Sequence, residues 1–170
     1  MTDEELIALA VIMLVLLPGI DWGGGWVWPV PDRTSVGAPA LISQEFKPGI
    51  HMGVDIMYRV GGRYEAPVGT PILAARDATV WSVAEGARGK NVVLDHGAPF
   101  ATWYQHLADV QVVKGERVKA GQQIGTMGAD PTDPQGLRHL HFAVWYKGHG
   151  DSSSVDPARA MVSWRRASWS

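Results

Sequence analysis

The chain has no cysteine among its 170 residues, so neither a disulfide nor a zinc–thiolate centre is available to it. It has no dense run of Lys or Arg. Fifteen basic residues stand against seventeen acidic ones, a net charge of −2, which excludes the electrostatic footprint of a nucleic-acid binder. No Lys or Arg precedes Arg33, so the start lacks the positive charge of a cleavable signal peptide. Nor is there an apolar run of bilayer length. The segment around Leu6 to Leu17 makes about 15 helical residues, or about 22 Å, against a hydrocarbon core of about 30 Å. What remains is a chain with 46% hydrophobic residues, enough for one domain with a real core and short extensions.

The N-terminal extension reads as residues 1–18, an apolar helix, followed by a Gly- and Trp-containing linker over 19–27. Thr2 and Glu5 form a capping box, and Pro18-Gly19 ends the helix. Its residues are apolar all round, so it must be buried against something. Other protein chains are the expected partner, in a bundle or a larger assembly, with a membrane as the second choice. Beyond the linker, strands and turns follow at short spacing. Candidate strands lie near His51–Met57, Pro71–Ala74, Ala78–Val83, Asn91–Asp95, Ala101–His106, Gln122–Met127 and His139–Tyr146, with Gly and Pro between them. Within the domain only Asp156–Trp164 reads as helix; residues 158–170 read as the C-terminal tail, of which Ser163 to Ser170 packs loosely or frays. The implied fold class is all-β and antiparallel.

Three of these stretches carry histidine beside other polar groups. Side chains of a strand alternate between faces. The rule groups His51 with Gly53 and Asp55, and His139 with His141 opposite Leu140 and Phe142. It also groups Thr102, Tyr104 and His106, opposite Trp103. Two imidazoles with one carboxylate make the inventory of a catalytic zinc, leaving further imidazoles to move protons. Spacing alone does not choose between His139 and His141 as ligand. Tyr104, placed with His106, is a candidate for a hydrogen bond to substrate. His96 and His149 read as turn and loop residues.

These motifs, in order, resemble the lysostaphin-type (LytM-like) zinc metalloendopeptidases, which cleave peptide bonds in bacterial peptidoglycan. The resemblance covers 28–157. It runs from Trp28-Pro29-Val30-Pro31 through Gln44-Glu45-Phe46, His51-Met52-Gly53-Val54-Asp55 and Ala66-Pro67-Val68-Gly69-Thr70-Pro71 to Tyr104-Gln105-His106-Leu107 and His139-Leu140-His141-Phe142. It implies an antiparallel β-sheet or sandwich domain of the duplicated hybrid-motif type. It also implies one zinc per chain on His51, Asp55 and His141, with His106 and His139 as catalytic, non-ligand histidines. The chain departs from the family pattern at Lys47-Pro48, at Ala143, and in a long Gly128–Arg138 approach to the last motif, all of which bear on substrate preference.

The expected function is therefore a zinc-dependent endopeptidase acting on peptidoglycan stem peptides or cross-bridges, in the extracytoplasmic envelope or on a phage virion tail. Two alternatives stand beside it: a catalytically silent module that binds or activates wall enzymes, and a structural virion component held in its assembly by the N-terminal helix.

Overall fold

The computed structural model describes residues 24–168, so the expected helix at 1–18 and most of the linker lie outside the described residues. Thirteen strands are described: β1 (Val27–Pro31), β2 (Ala40–Gln44), β3 (Val54–Val60), β4 (Arg63–Tyr64), β5 (Pro71–Leu73), β6 (Ala78–Gly86), β7 (Gly89–Asp95), β8 (Phe100–Val110), β9 (Arg117–Val118), β10 (Gln123–Met127), β11 (Leu140–Tyr146), β12 (Ser154–Val155) and β13 (Arg165–Ala167). The main sheet runs β2-β3-β11-β8-β7-β6-β9, antiparallel at every pairing, and β10 bridges β8 to β5. The all-β antiparallel expectation holds. One pairing runs the other way: β1 and β13 lie parallel.

Alternation explains the sheet. Leu140, Phe142 and Val144 of β11, Val92 and Leu94 of β7, and Thr102 and Tyr104 of β8 all point into one core. Each buried Leu, Val or Phe contributes about 1.5–3 kcal/mol by leaving water. His141, Trp103 and Gln105 on the same strands are directed to the opposite side, where a cavity opens. Among the described residues no helix is long and apolar enough to cross a membrane.

Two expectations change at the ends of the domain. Among the described residues, the C-terminal segment does not pack loosely. Met161 is fully buried and Trp164 nearly so, Trp26 and Trp164 stack with ring centroids 4.6 Å apart, and the Trp28 indole donates to the Met161 carbonyl at 2.8 Å. Trp26 and Val27, read as the end of the linker, belong to this packing. Aromatic burial and strand addition hold both ends where composition alone suggested solvent. The expected Asp156–Trp164 helix shrinks to one turn, α1 (Ala158–Met161), because Trp164 turns inward and the next residues join β1.

Candidate metal centre and active site

Asp55 on β3 and His141 on β11 are direct partners across the antiparallel ladder, so their side chains emerge next to one another. The Nδ1 of His141 lies 2.9 Å from Asp55 Oδ1. His51 joins them from outside any strand. It forms an isolated bridge with Lys47, and the chain bends at Gly53 before entering β3. That bend carries His51 Nε2 to 3.1 Å from Asp55 Oδ1 and 3.0 Å from His141 Nδ1. Gly53 is required there by contact. A Cβ at that position would stand 2.6 Å from the Phe142 carbonyl oxygen and 2.8 Å from His141 Nε2.

The protons in this corner can be assigned. His51 Nδ1 lies 2.9 Å from the Glu45 carbonyl, which only accepts, so Nδ1 carries the proton and Nε2 offers a lone pair. That lone pair faces a carboxylate oxygen. The mismatch disappears if a cation sits between them. Two ligands about 2.1 Å from one tetrahedral ion stand about 3.4 Å apart, close to the spacing here. The donor set of two imidazoles and one carboxylate fits a zinc-type ion. Burial opposes ionisation of Asp55. The hydrogen bond from His141 and the fields of His139, His141 and His51 outweigh burial and hold its carboxyl below the usual range.

His106 and His139 stand together across the cavity, ring centroids 4.7 Å apart, with His106 6.2 Å from His141. Each gives Nδ1 to a backbone carbonyl: His106 to Arg88 and His139 to Leu137, both at 2.9 Å. In each ring Nε2 is left as the nitrogen that can take a proton. For His106, burial lowers proton affinity, as do His139 and His141. The Arg88 carbonyl and the Asp130 carboxylate oppose this, and the net shift is downward. Five of the six sequence candidates, all but Tyr104, line one cavity of about 510 Å³, with Trp103 and Gln105 as part of its wall.

The route by which His106 arrives differs from the expected one. Leu107 pairs with Lys90 and Gln105 with Asn91, so His106 is an extra residue on β8, a bulge, with φ at 64°. Strict alternation would have placed it with Thr102 and Tyr104. Those two face the core, and the bulge turns His106 back to the side of Trp103 and Gln105. Tyr104 is accordingly corrected: it is fully buried, with its hydroxyl accepting from Ala75 N–H at 2.8 Å and 3.1 Å from Thr102 Oγ1. It packs on Phe142 and is a core residue without access to substrate. Asp130 and Arg88 went unnoticed in the sequence. Arg88 lies in an ordinary hairpin turn, and Asp130 in the long loop that departs from the family pattern.

Sheet order and site together define a lysostaphin-like β domain with a His-Asp-His centre. The chain belongs to peptidase family M23, whose model matches residues 49–157. It is 39% identical over 105 residues to the peptidoglycan DD-endopeptidase ShyC of Vibrio cholerae, covering 59% of this chain and 23% of that protein. Among solved structures, it resembles the catalytic domain of the antimicrobial peptidase lysostaphin from Staphylococcus simulans. That match has TM-score 0.57 and 25% identity over 83% of this chain and 91% of the other. A zinc-containing peptidase from Vibrio cholerae matches with TM-score 0.62 and 27% identity over 81% and 40%. The chain spans less than half the length of the curated relatives that it matches.

Proposed function

We propose that the protein is a zinc-dependent endopeptidase that hydrolyses peptide bonds of bacterial peptidoglycan, in stem peptides or cross-bridges, outside the cytoplasm. One observation carries the reading: the convergence of His51 Nε2, Asp55 Oδ1 and His141 Nδ1 at 2.9–3.1 Å. The adjacent His106–His139 pair and the family supply the rest. His51, Asp55 and His141 would hold one zinc per chain. Zinc on such a set supplies Lewis-acid polarisation of a peptide carbonyl and activation of water.

The residues of the chain do the remaining work. His106 and His139, each with Nδ1–H fixed on a carbonyl, present Nε2 for proton transfer. One takes the proton from the attacking water, and the other donates to the oxyanion or the leaving amine. Trp103 forms an apolar wall beside the ligands, where it excludes water and sterically selects the peptide.

The test is digestion of purified peptidoglycan followed by mass spectrometry. New amine and carboxyl termini within the peptides are expected, abolished by a chelator and restored by added zinc. An undigested sacculus with zinc-loaded protein, or cleavage confined to the glycan, would overturn the reading.

A further inference from the structure

The long loop from Gly128 to Arg138 does more than lead into β11. Gly128 N–H donates to the His106 carbonyl at 2.7 Å, and the Gly128 carbonyl accepts from His139 N–H at 3.1 Å. The loop thus joins the main chains of the two histidines. Two residues on, it places Asp130, only 7% exposed, beside His106 on the cavity side, near Nε2. Every carboxylate atom there has an assignment. Oδ1 accepts from Thr132 N–H at 2.8 Å and Thr132 Oγ1 at 2.7 Å. Oδ2 accepts from Arg88 NH1 at 3.1 Å and stands 4.0 Å from His106 Nε2.

Arg88 is the other half of the arrangement. Its guanidinium pairs with Asp130, and its main-chain carbonyl receives His106 Nδ1–H. His106 needs this support. It is a bulge residue at positive φ, a backbone that L side chains rarely adopt and that the ladder does not hold. The Arg88 carbonyl, 2.9 Å from Nδ1, fixes the orientation of the ring there.

We infer that Asp130 is a positioning residue of the peptidase reaction: it clamps Arg88, so that the Arg88 carbonyl holds His106 in its Nδ1–H form with Nε2 directed to the cavity. The inference rests on the assignment of His106 made above. It makes the loop that departs from the family pattern a working part of the site.

The discriminating variant is Asp130→Asn in the zinc-loaded full chain. Asn keeps the volume, and its Oδ1 still accepts from Thr132, so only the charge and the grip on Arg88 change. A purely structural role predicts no kinetic effect from so conservative a change. The clamp predicts a fall in kcat on the order of ten- to a hundredfold with KM unchanged and zinc content intact. A second readout needs no substrate. ¹⁵N shifts of the His106 ring should move from a single Nδ1–H tautomer in the parent to a mixture in the variant.

Arg88→Gln attacks the clamp from a side chain that is 65% exposed, where folding is not at risk. It should shift the same ring signals, and the double variant should be no worse than Asp130→Asn alone. Unchanged His106 signals in both single variants would overturn the inference, as would a rise in KM at constant kcat. If the parent protein leaves peptidoglycan intact, the functional reading fails. The ring signals still decide the clamp.

Discussion

The two halves of the site are built by opposite means. In the proposed ligand half, Asp55 and His141 occupy a regular antiparallel pair whose ladder sets their side-chain positions, and His51 alone comes from outside a strand. In the proposed proton-transfer half, regularity is broken at both members. His106 sits on a bulge with φ 64°, and His139 stands just outside β11 at the end of a long loop. A metal ligand needs a donor atom at a fixed point, which a ladder supplies. A proton-transfer group needs a particular nitrogen aimed at a particular place, and both histidines obtain this from a carbonyl on a turn or loop. Failure should therefore look different in the two halves.

The largest effect belongs to the ligand half. Replacing His51, Asp55 or His141 by Ala should abolish bound zinc at neutral pH together with activity, since two ligands do not retain the ion. Metal analysis of the purified variants decides this, and full occupancy in two of the three would dissolve the contrast. Next comes the proton-transfer half. His106→Ala and His139→Ala should keep one zinc per chain while turnover falls about a hundredfold to ten-thousandfold. Near-normal hydrolysis by either zinc-loaded variant would remove that residue from the mechanism.

The third effect lies behind the sheet. Burial pushes the His96 imidazole down to about 4, with the Arg76 charge adding to the fall and the Asp77 carbonyl and Asp95 opposing it. The neutral ring gives Nδ1 to the Asp77 carbonyl and faces Thr102 Oγ1 at 2.7 Å. With the folded value below the unfolded one of about 6.5, the unfolded chain binds the extra proton between those values. Stability is therefore intact above about pH 6.5 and falls as pH drops toward 4, by up to about 3 kcal/mol. Denaturant melts at pH 7 and pH 4.5 should show the loss, reduced in His96→Gln. An equal loss in both would assign it elsewhere.

The smallest effect is expected at Tyr104, and it sharpens the comparison of the two faces. Tyr104→Phe leaves the Ala75 N–H without its acceptor in the core, at a cost of about 1–3 kcal/mol. Thermal denaturation should report it, with kcat and zinc content at parent values. A loss of turnover without a loss of stability would return Tyr104 to the substrate site.

Much of this is legible in the sequence. Leu140-His141-Phe142 and Val54-Asp55-Ile56 announce strands with apolar backs and polar fronts, and the sheet puts them side by side. His51 also reached the predicted site, though by a bend at Gly53 and not along a strand. The β8 segment was misread because one inserted residue reverses every face assignment across it. Thr102 and Tyr104 went inward, and Trp103 and Gln105 took the front. The tail was misread because Trp164 and Trp26 are far apart in sequence, and nothing local announces their stacking.

By itself, then, the sequence determined the strand-rich fold class, the family, and which five side chains to propose for the chemistry, because period-two patterning and motif order are local properties of a chain. Only the tertiary structure decided which nitrogen of each ring faces the cavity and that Tyr104 belongs to the core. It alone brought Asp130 and Arg88 beside His106. Those outcomes depend on a bulge, a glycine contact and hydrogen bonds between residues 18 to 90 positions apart, which exist only once the sheet has closed.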